Sequence, residues 1–310
     1  MALREVRELG RGTFGRVYLA DDDVRGGQVA VKELLDPEAD LDRFEREVRL
    51  LIDQINNRYV VDIYGYDLKA ERPYLVMEYC DGGSLRQFVG KAAWPQAATM
   101  LLHAAQGLLG IHSVGGFHRD LKPDNLLIGR SPGVDGYVVK VADFGLARRP
   151  KTAQLPMTRT PGGTPGYMAP ELSAPGAQFT TSADAYSLGI IGTELLTGSL
   201  SPDKLTQVDI PENLRNLLRR MVSPLPFFRP ATADLIIALG QIIRVDQPVP
   251  APPRDPAPPP PRSNDGNGLL WLLGLAGLAA AGAALAAGNK GDWDDNVGRR
   301  RGSDGRFKRS

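Results

Sequence analysis

Between His118 and Asn125 the chain sets an acid (Asp120), a lysine (Lys122) and a carboxamide (Asn125) at fixed offsets in one short loop. A second acid follows eighteen residues after Asn125, in the triplet Asp143-Phe144-Gly145. Two features upstream suit phosphate chemistry. Gly10-Arg11-Gly12-Thr13-Phe14-Gly15 carries three glycines, which let backbone amides approach phosphate oxygens closely and adopt positive φ. Lys32, in Ala30-Val31-Lys32, is a cation inside an apolar run, which is costly unless an anion meets it. The chain before His118 thus reads as built to hold a nucleotide, and the chain after it as built to present a substrate.

These groups need rigid elements behind them. Residues 3–80 read mostly as strand, with Val6, Leu9, Val17, Leu19, Val29, Val31, Ile63, Leu75 and Val76 in short β-prone runs between Gly, Asp and Asn clusters. From Asp40 to Ile55, Leu41, Phe44, Val48, Leu51, Ile52 and Ile55 recur at three- and four-residue spacing and predict one amphipathic helix. After residue 84 helices dominate, over Ala97 to Ile111, Ala183 to Thr197, Asn213 to Met221 and Ala231 to Ile243. The expected fold class is α+β, a small strand-rich lobe followed by a larger helical one. A glycine loop of this spacing also opens dinucleotide-binding folds, but those need a helix at once, and Val17-Tyr18-Leu19-Ala20 continues as strand.

Together these motifs resemble the Hanks-type protein kinases, in their serine/threonine branch, over about residues 3–245. The resemblance implies a bilobal kinase fold, with an antiparallel sheet and one helix in the N-lobe (1–80) and a mainly helical C-lobe (81–245). It implies ATP as phosphoryl donor, Mg²⁺ (or Mn²⁺ in its place), and protein Ser/Thr hydroxyls as acceptors. Asp120 would accept the hydroxyl proton, Lys122 would neutralise the transferring phosphoryl group, and Asn125 and Asp143 would hold the metal. Lys122, two residues after the acid, marks the serine/threonine variant. Lys32 would meet the α- and β-phosphates and Glu47, with Glu45 as the alternative; the Lys32–Glu47 interval is shorter than is usual in the family. Leu9, Gly10, Gly12, Gly15, Val17 and Ala30 would enclose the nucleotide, behind which Met77 is the gatekeeper. Backbone groups of Glu78 and Cys80 would bond the adenine edge, and Ser84 the ribose.

Asp143 to Glu171 resembles an activation segment. Thr164 would bond Asp120 and Lys122, Glu171 would pair with Arg229, and Asp184 would tie the catalytic loop to the helix that follows. Arg119, just before Asp120, implies activation by phosphorylation, at Thr160 first, then Thr158 or Thr152. His118 and Phe144 are expected to pack with Leu51 and Ile63, and His103 and His112 to be structural, on helix faces with no partner motif. Gly198 to Pro211 is shorter than the family's usual stretch.

From Asp246 the composition changes. Residues 246–268 form a proline-rich linker whose Pro248–Arg262 run would extend about 45 Å as polyproline. Leu269–Gly288 is twenty residues without a charge, about 30 Å as a helix, and predicts a single membrane span flanked by Trp271 and Trp293. Ala276, Ala280 and Ala284, with Gly277 and Ala281, form small-residue stripes suited to a homodimer through this segment. Residues 289–310 are a basic tail. The need for cytosolic ATP places the kinase in the cytoplasm and the tail on the far side. Lys290 and Arg299–Arg301, which outnumber Arg254 and Arg262, argue for the reverse. Met1 to Val6 is charged and alternating, so a cleaved secretory signal is not expected. The one-pass anchor and proline spacer point, by analogy with the family, to a bacterial membrane kinase.

Net charge is +1, so no nucleic-acid partner is expected. Cys80 is the only cysteine, which excludes an internal disulfide and a multi-cysteine metal site. Two rival functions remain. A nucleotide-binding pseudokinase scaffold would usually lack Lys32, Asp120 or Asp143, and all three are present. A small-molecule phosphotransferase would not be expected to carry Ala169-Pro170-Glu171.

Overall fold

The computed structural model describes residues 3–12, 15–34, 45, 48–49, 56–130, 136–143, 164–174 and 177–245. Outside them lie Thr13, Phe14, Glu47, Leu51, Phe144, Thr152, Thr158 and Thr160. Residues 246–310, with the proline-rich stretch, the expected membrane span and the basic tail, lie outside them too. Among the described residues no helix is long and apolar enough to cross a membrane.

Five antiparallel strands open the fold: β1 (Leu3–Gly12), β2 (Gly15–Asp22), β3 (Gly27–Leu34), β4 (Ile63–Asp67) and β5 (Tyr74–Glu78), in the order β1-β2-β3-β5-β4. The period of two gives the sheet two apolar faces. Ala20, Val29, Val31 and Val76 are buried on one, beneath Tyr18, Tyr64 and Tyr74. Leu34 and Leu75 lie on the other, against Val48 and Tyr66. Residues 45, 48 and 49 are helical, within the span whose periodicity predicts a helix. Lys32, two residues from both Ala30 and Leu34, belongs to this second face. The β2–β3 turn closes because Asp22 Oδ1 accepts from the amides of Val24 and Arg25, and Gly26 takes φ +71°, the left-handed region glycine enters freely.

The larger lobe is helical. α1 (Trp94–Ser113) has Pro95 in its first turn, where a missing N–H costs nothing, and buries Ala97, Leu101, Ala104, Leu108 and Ile111. α2 (Thr181–Thr197) is buried almost all round, including Asp184, Ser187, Thr193 and Glu194, and ends at Gly198 with φ +71°. α3 (Glu212–Met221) turns Leu214, Leu217, Leu218 and Met221 inward, and α4 (Thr232–Val245) adds Leu235 and Leu239. All four helices share one core.

One feature of this lobe differs from the sequence reading. A short antiparallel hairpin, β6 (Leu126–Arg130) and β7 (Tyr137–Val141), interrupts the helices. Each strand has only five residues, too few for a clear periodic signal. The short Gly198–Pro211 stretch still seals the core: a 3-10 turn over Pro202–Gln207 buries Leu205 completely. Arg215 holds it by donating to the carbonyls of Leu205, Val208 and Ile210.

Candidate active site

The catalytic loop is strapped to the buried helix α2. Asp184 accepts from the backbone amides of His118 (2.9 Å) and Arg119 (3.2 Å). Its Oδ2 also meets His112 Nε2 at 2.9 Å, and His112 Nδ1 meets Thr232 Oγ1 at 3.0 Å. His112 is structural, as read from sequence, and its partners are now visible: it joins α1, α2 and α4. Arg119 takes φ 70° and Asp143 φ 55°, the two non-glycine residues with positive φ among the described residues. Such conformations cost energy and persist where surrounding contacts over-determine them.

His118 is fully buried, and its part differs from apolar packing. Its Nε2 donates to the carbonyl of Ala142 at 2.9 Å, and its Nδ1 accepts from the amide of Asp120 at 3.3 Å. Burial lowers its pKa, and only the neutral ring can donate at one nitrogen while accepting at the other. One imidazole thus connects the residue before Asp143 to the amide of Asp120.

Asp120 is almost fully buried. Its Oδ1 accepts from Thr164 Oγ1 at 2.7 Å, while Lys122 Nζ lies 3.3 Å from its Oδ2 and 3.2 Å from Thr164 Oγ1. Asn125 Nδ2 donates to the carbonyl of Asp120 at 2.8 Å, so any metal would have to be met by its Oδ1. The amide of Ala142 bonds the Asn125 carbonyl at 2.9 Å, so Asp143 is held beside Asn125. Asp143 in turn forms an ion pair with Lys32 from the other lobe. Burial works to raise the Asp143 pKa, but the charge and hydrogen bond of Lys32 outweigh it and hold the carboxylate below its ordinary range.

No cluster of three or more His, Cys, Asp or Glu side chains is placed to hold a metal among the described residues. A cation here would rest on Asn125 and Asp143, with water and phosphate oxygens completing its shell. That donor set fits Mg²⁺, which keeps several waters and uses few protein ligands.

The face that carries the candidate nucleotide-binding residues is set by strand register. Val17 lies opposite Lys32, Ala30 opposite Met77, Gly10 opposite Val17 and Gly12 opposite Gly15. Leu9 is half-buried beside them in β1. A Cβ on Gly15 would fall 2.3 Å from the Glu33 carbonyl, so packing alone requires that glycine. A Cβ on Gly10 would meet nothing within 4 Å, so the space above it is open, as close approach of a phosphate needs. Val61, Cys80 and Ala142, with Met77 and Leu127, make an apolar patch beneath. Burial pushes the Cys80 thiol up to about 12, so it is inert packing. Ser84 bridges to Leu127 through the backbone. Glu45, the alternative partner for Lys32, is committed to Arg49 (2.7 Å) and Tyr66 (3.2 Å). Glu47 lies outside the described residues.

The family described as the protein kinase domain matches residues 3–235. The chain belongs to that family. Its relatives include the serine/threonine-protein kinases Pkn1 and pkn2 of Myxococcus xanthus. Pkn1 is 41% identical over 207 residues, covering 64% of this chain and 29% of Pkn1. The second, pkn2, is 36% identical over 239 residues, covering 74% of this chain and 28% of pkn2. A probable serine/threonine-protein kinase PknB of Lactococcus lactis is 32% identical over 208 residues, covering 64% of this chain and 32% of PknB. The chain thus spans about a third or less of these relatives' lengths. They place it in the serine/threonine branch.

Within this kinase fold Glu171 and Arg229 form a two-pronged pair, both N···O distances 2.7 Å. The Arg229 side chain has no exposed surface, donates also to the carbonyls of Ser182 and Ser223, and lies 4.9 Å from the Tyr186 ring centroid. One buried ion pair had no signal in the sequence: Lys140 of β7 reaches Glu78 at 2.7 Å, beneath the segment between the lobes. A cavity of about 840 Å³ lined by Phe88, Trp94, His103, Tyr137 and Ile243 includes none of the catalytic or metal-binding candidates.

Proposed function

We propose that this chain is an ATP- and Mg²⁺-dependent serine/threonine protein kinase that transfers a γ-phosphoryl group to protein hydroxyls. The observation that carries the reading is the buried Asp120, bonded by Thr164 and neighboured by Lys122, with Asn125 and Asp143 tied to the same loop. Asp120 accepts the proton of the acceptor hydroxyl, whose oxygen bonds the γ-phosphorus as the bond to the bridging β–γ oxygen breaks; ADP leaves with that oxygen. Lys122 offsets charge on the moving phosphoryl group, and Lys32 holds the α- and β-phosphates. The metal, when bound, neutralises phosphate charge. Full-length protein incubated with labelled ATP and Mg²⁺, beside an Asp120→Ala control, tests this. Label on Ser or Thr that vanishes in the control supports it; protein that binds ATP yet labels nothing favours a pseudokinase scaffold.

The reading extends to autophosphorylation in the activation segment, at Thr160, Thr158 or Thr152, answered by Arg119. It also extends to a single-pass membrane anchor over Leu269–Gly288, with the kinase cytoplasmic, the tail on the far side, and pairing of two chains through the anchor. These rest on the sequence. Protease treatment of intact cells carrying a C-terminal epitope addresses the topology, and an uncleaved tag would reverse it. Crosslinking that is unchanged by Gly277→Leu with Ala280→Leu would remove the dimer.

A further inference from the structure

Arg86 lies in the 3-10 turn Leu85–Phe88, directly after the segment between the lobes. Its guanidinium reaches three elements at once. One terminal nitrogen bonds Glu194 of α2 at 2.8 Å, the other bonds Asp124 of the catalytic loop at 2.7 Å and Tyr167 Oη at 3.1 Å. Tyr167 Oη also donates to the second oxygen of Glu194 at 2.6 Å.

The place matters more than the pairing. Asp124 lies four residues after Asp120, and Tyr167 three residues after Thr164, which bonds Asp120. The cluster is therefore tied to both stretches that flank Asp120, where a polypeptide delivering its hydroxyl would approach. Without Arg86 it would meet two carboxylates, one exposed and one buried. With Arg86 it meets a guanidinium already seated between them.

We propose that Arg86 is a specificity-determining residue, whose guanidinium fills an acidic notch beside Asp120 and so denies it to an arginine or lysine of the substrate. The inference rests on the kinase reading above and names the substrate class that site refuses. Discrimination comes from a group the chain supplies itself, a form of specificity by exclusion.

The test uses full-length protein, a phosphorylatable Ser/Thr peptide, and variants of it carrying one Arg or one Glu at each flanking position. Wild-type protein should show no gain for Arg at any position. Arg86→Ser should raise the Arg-to-parent ratio of kcat/KM at one position at least about tenfold, the lower end for one hydrogen bond to a charged group. Asp124→Asn, which takes a carboxylate from Arg86, should raise the Glu-to-parent ratio at that same position. These are ratios within one variant, so a general loss of stability or turnover cancels. Phosphorylation of the parent with neither ratio moved overturns the inference alone, as does a wild-type preference for Arg that Asp124→Asn abolishes. Wild-type protein that phosphorylates no peptide and no protein overturns the kinase reading and this inference with it.

Discussion

Thr164 Oγ1 donates to Asp120 Oδ1 at 2.7 Å across 44 residues of sequence. The bond joins the catalytic loop to the stretch that ends at Glu171, so it orients the carboxylate. Asp120→Asn should lower kcat by about 10²- to 10⁴-fold, the range for losing a positioned base. Thr164→Ala should lower it less, and Thr164→Ser, which keeps the hydroxyl, should restore most of the loss. Initial-rate kinetics on a peptide substrate decide; equal loss in Thr164→Ala and Thr164→Ser would assign the effect to the methyl group instead.

The Lys32–Asp143 pair predicts both a rate and a pH effect. Lys32→Met should lower kcat/KM by roughly 10²-fold, as for removal of one electrostatic contact to a reacting phosphate. Asp143 has its folded-state pKa depressed, so its contribution to stability is complete above the ordinary carboxylate value near 4 and fades as pH falls through the depressed one. The stability gap between wild type and Lys32→Met should therefore be widest at neutral pH and narrow below about pH 4. Urea unfolding at pH 7 and at pH 3 measures it.

Glu171 and Arg229 make a prediction about folding. Removing one member of a buried pair strands the other, at a cost of about 3–5 kcal/mol. Because Glu171, the group left stranded, is partly exposed to water, Arg229→Ala should come near the lower figure and drop the melting temperature by roughly 6–12 °C for a domain of this size. Arg229→Lys cannot reproduce the two-pronged geometry and should recover only part of it. Calorimetry separates the three proteins.

His118 and His103 both have pKa values lowered by burial. As pH falls below about 6.5 the unfolded chain protonates these rings while the folded one resists, so stability declines from pH 7 toward 5. The fully buried His118 sets a limiting slope of about 1.4 kcal/mol per pH unit. His118→Gln should be less stable at pH 7 yet shallower in its pH dependence. A slope identical to wild type would place the titration elsewhere.

The sequence by itself determined the chemical inventory of the site. Gly10–Gly15, Ala30-Val31-Lys32, His118–Asn125 and Asp143 are short stretches whose spacing is fixed by covalent geometry, so they can be read without knowing where the chain goes. The β-prone runs of β2 and β3 and the helical stretches of α1 and α3 were legible for the same reason. Five-residue strands β6 and β7 were too short to announce themselves.

Only the tertiary structure decided how that inventory is wired. Lys32 meets Asp143 across 111 residues, Arg86 reaches Glu194 across 108, and Lys140 reaches Glu78 across 62. His118, expected from sequence to pack with Leu51 and Ile63, serves as a hydrogen-bonded link, and His112, in no motif that names a partner, as a bridge between Asp184 and Thr232. The physical reason is burial. A charge or imidazole taken out of water must find a partner, and the closed packing of α1, α2 and the catalytic loop, not proximity in sequence, determines which partner is within reach.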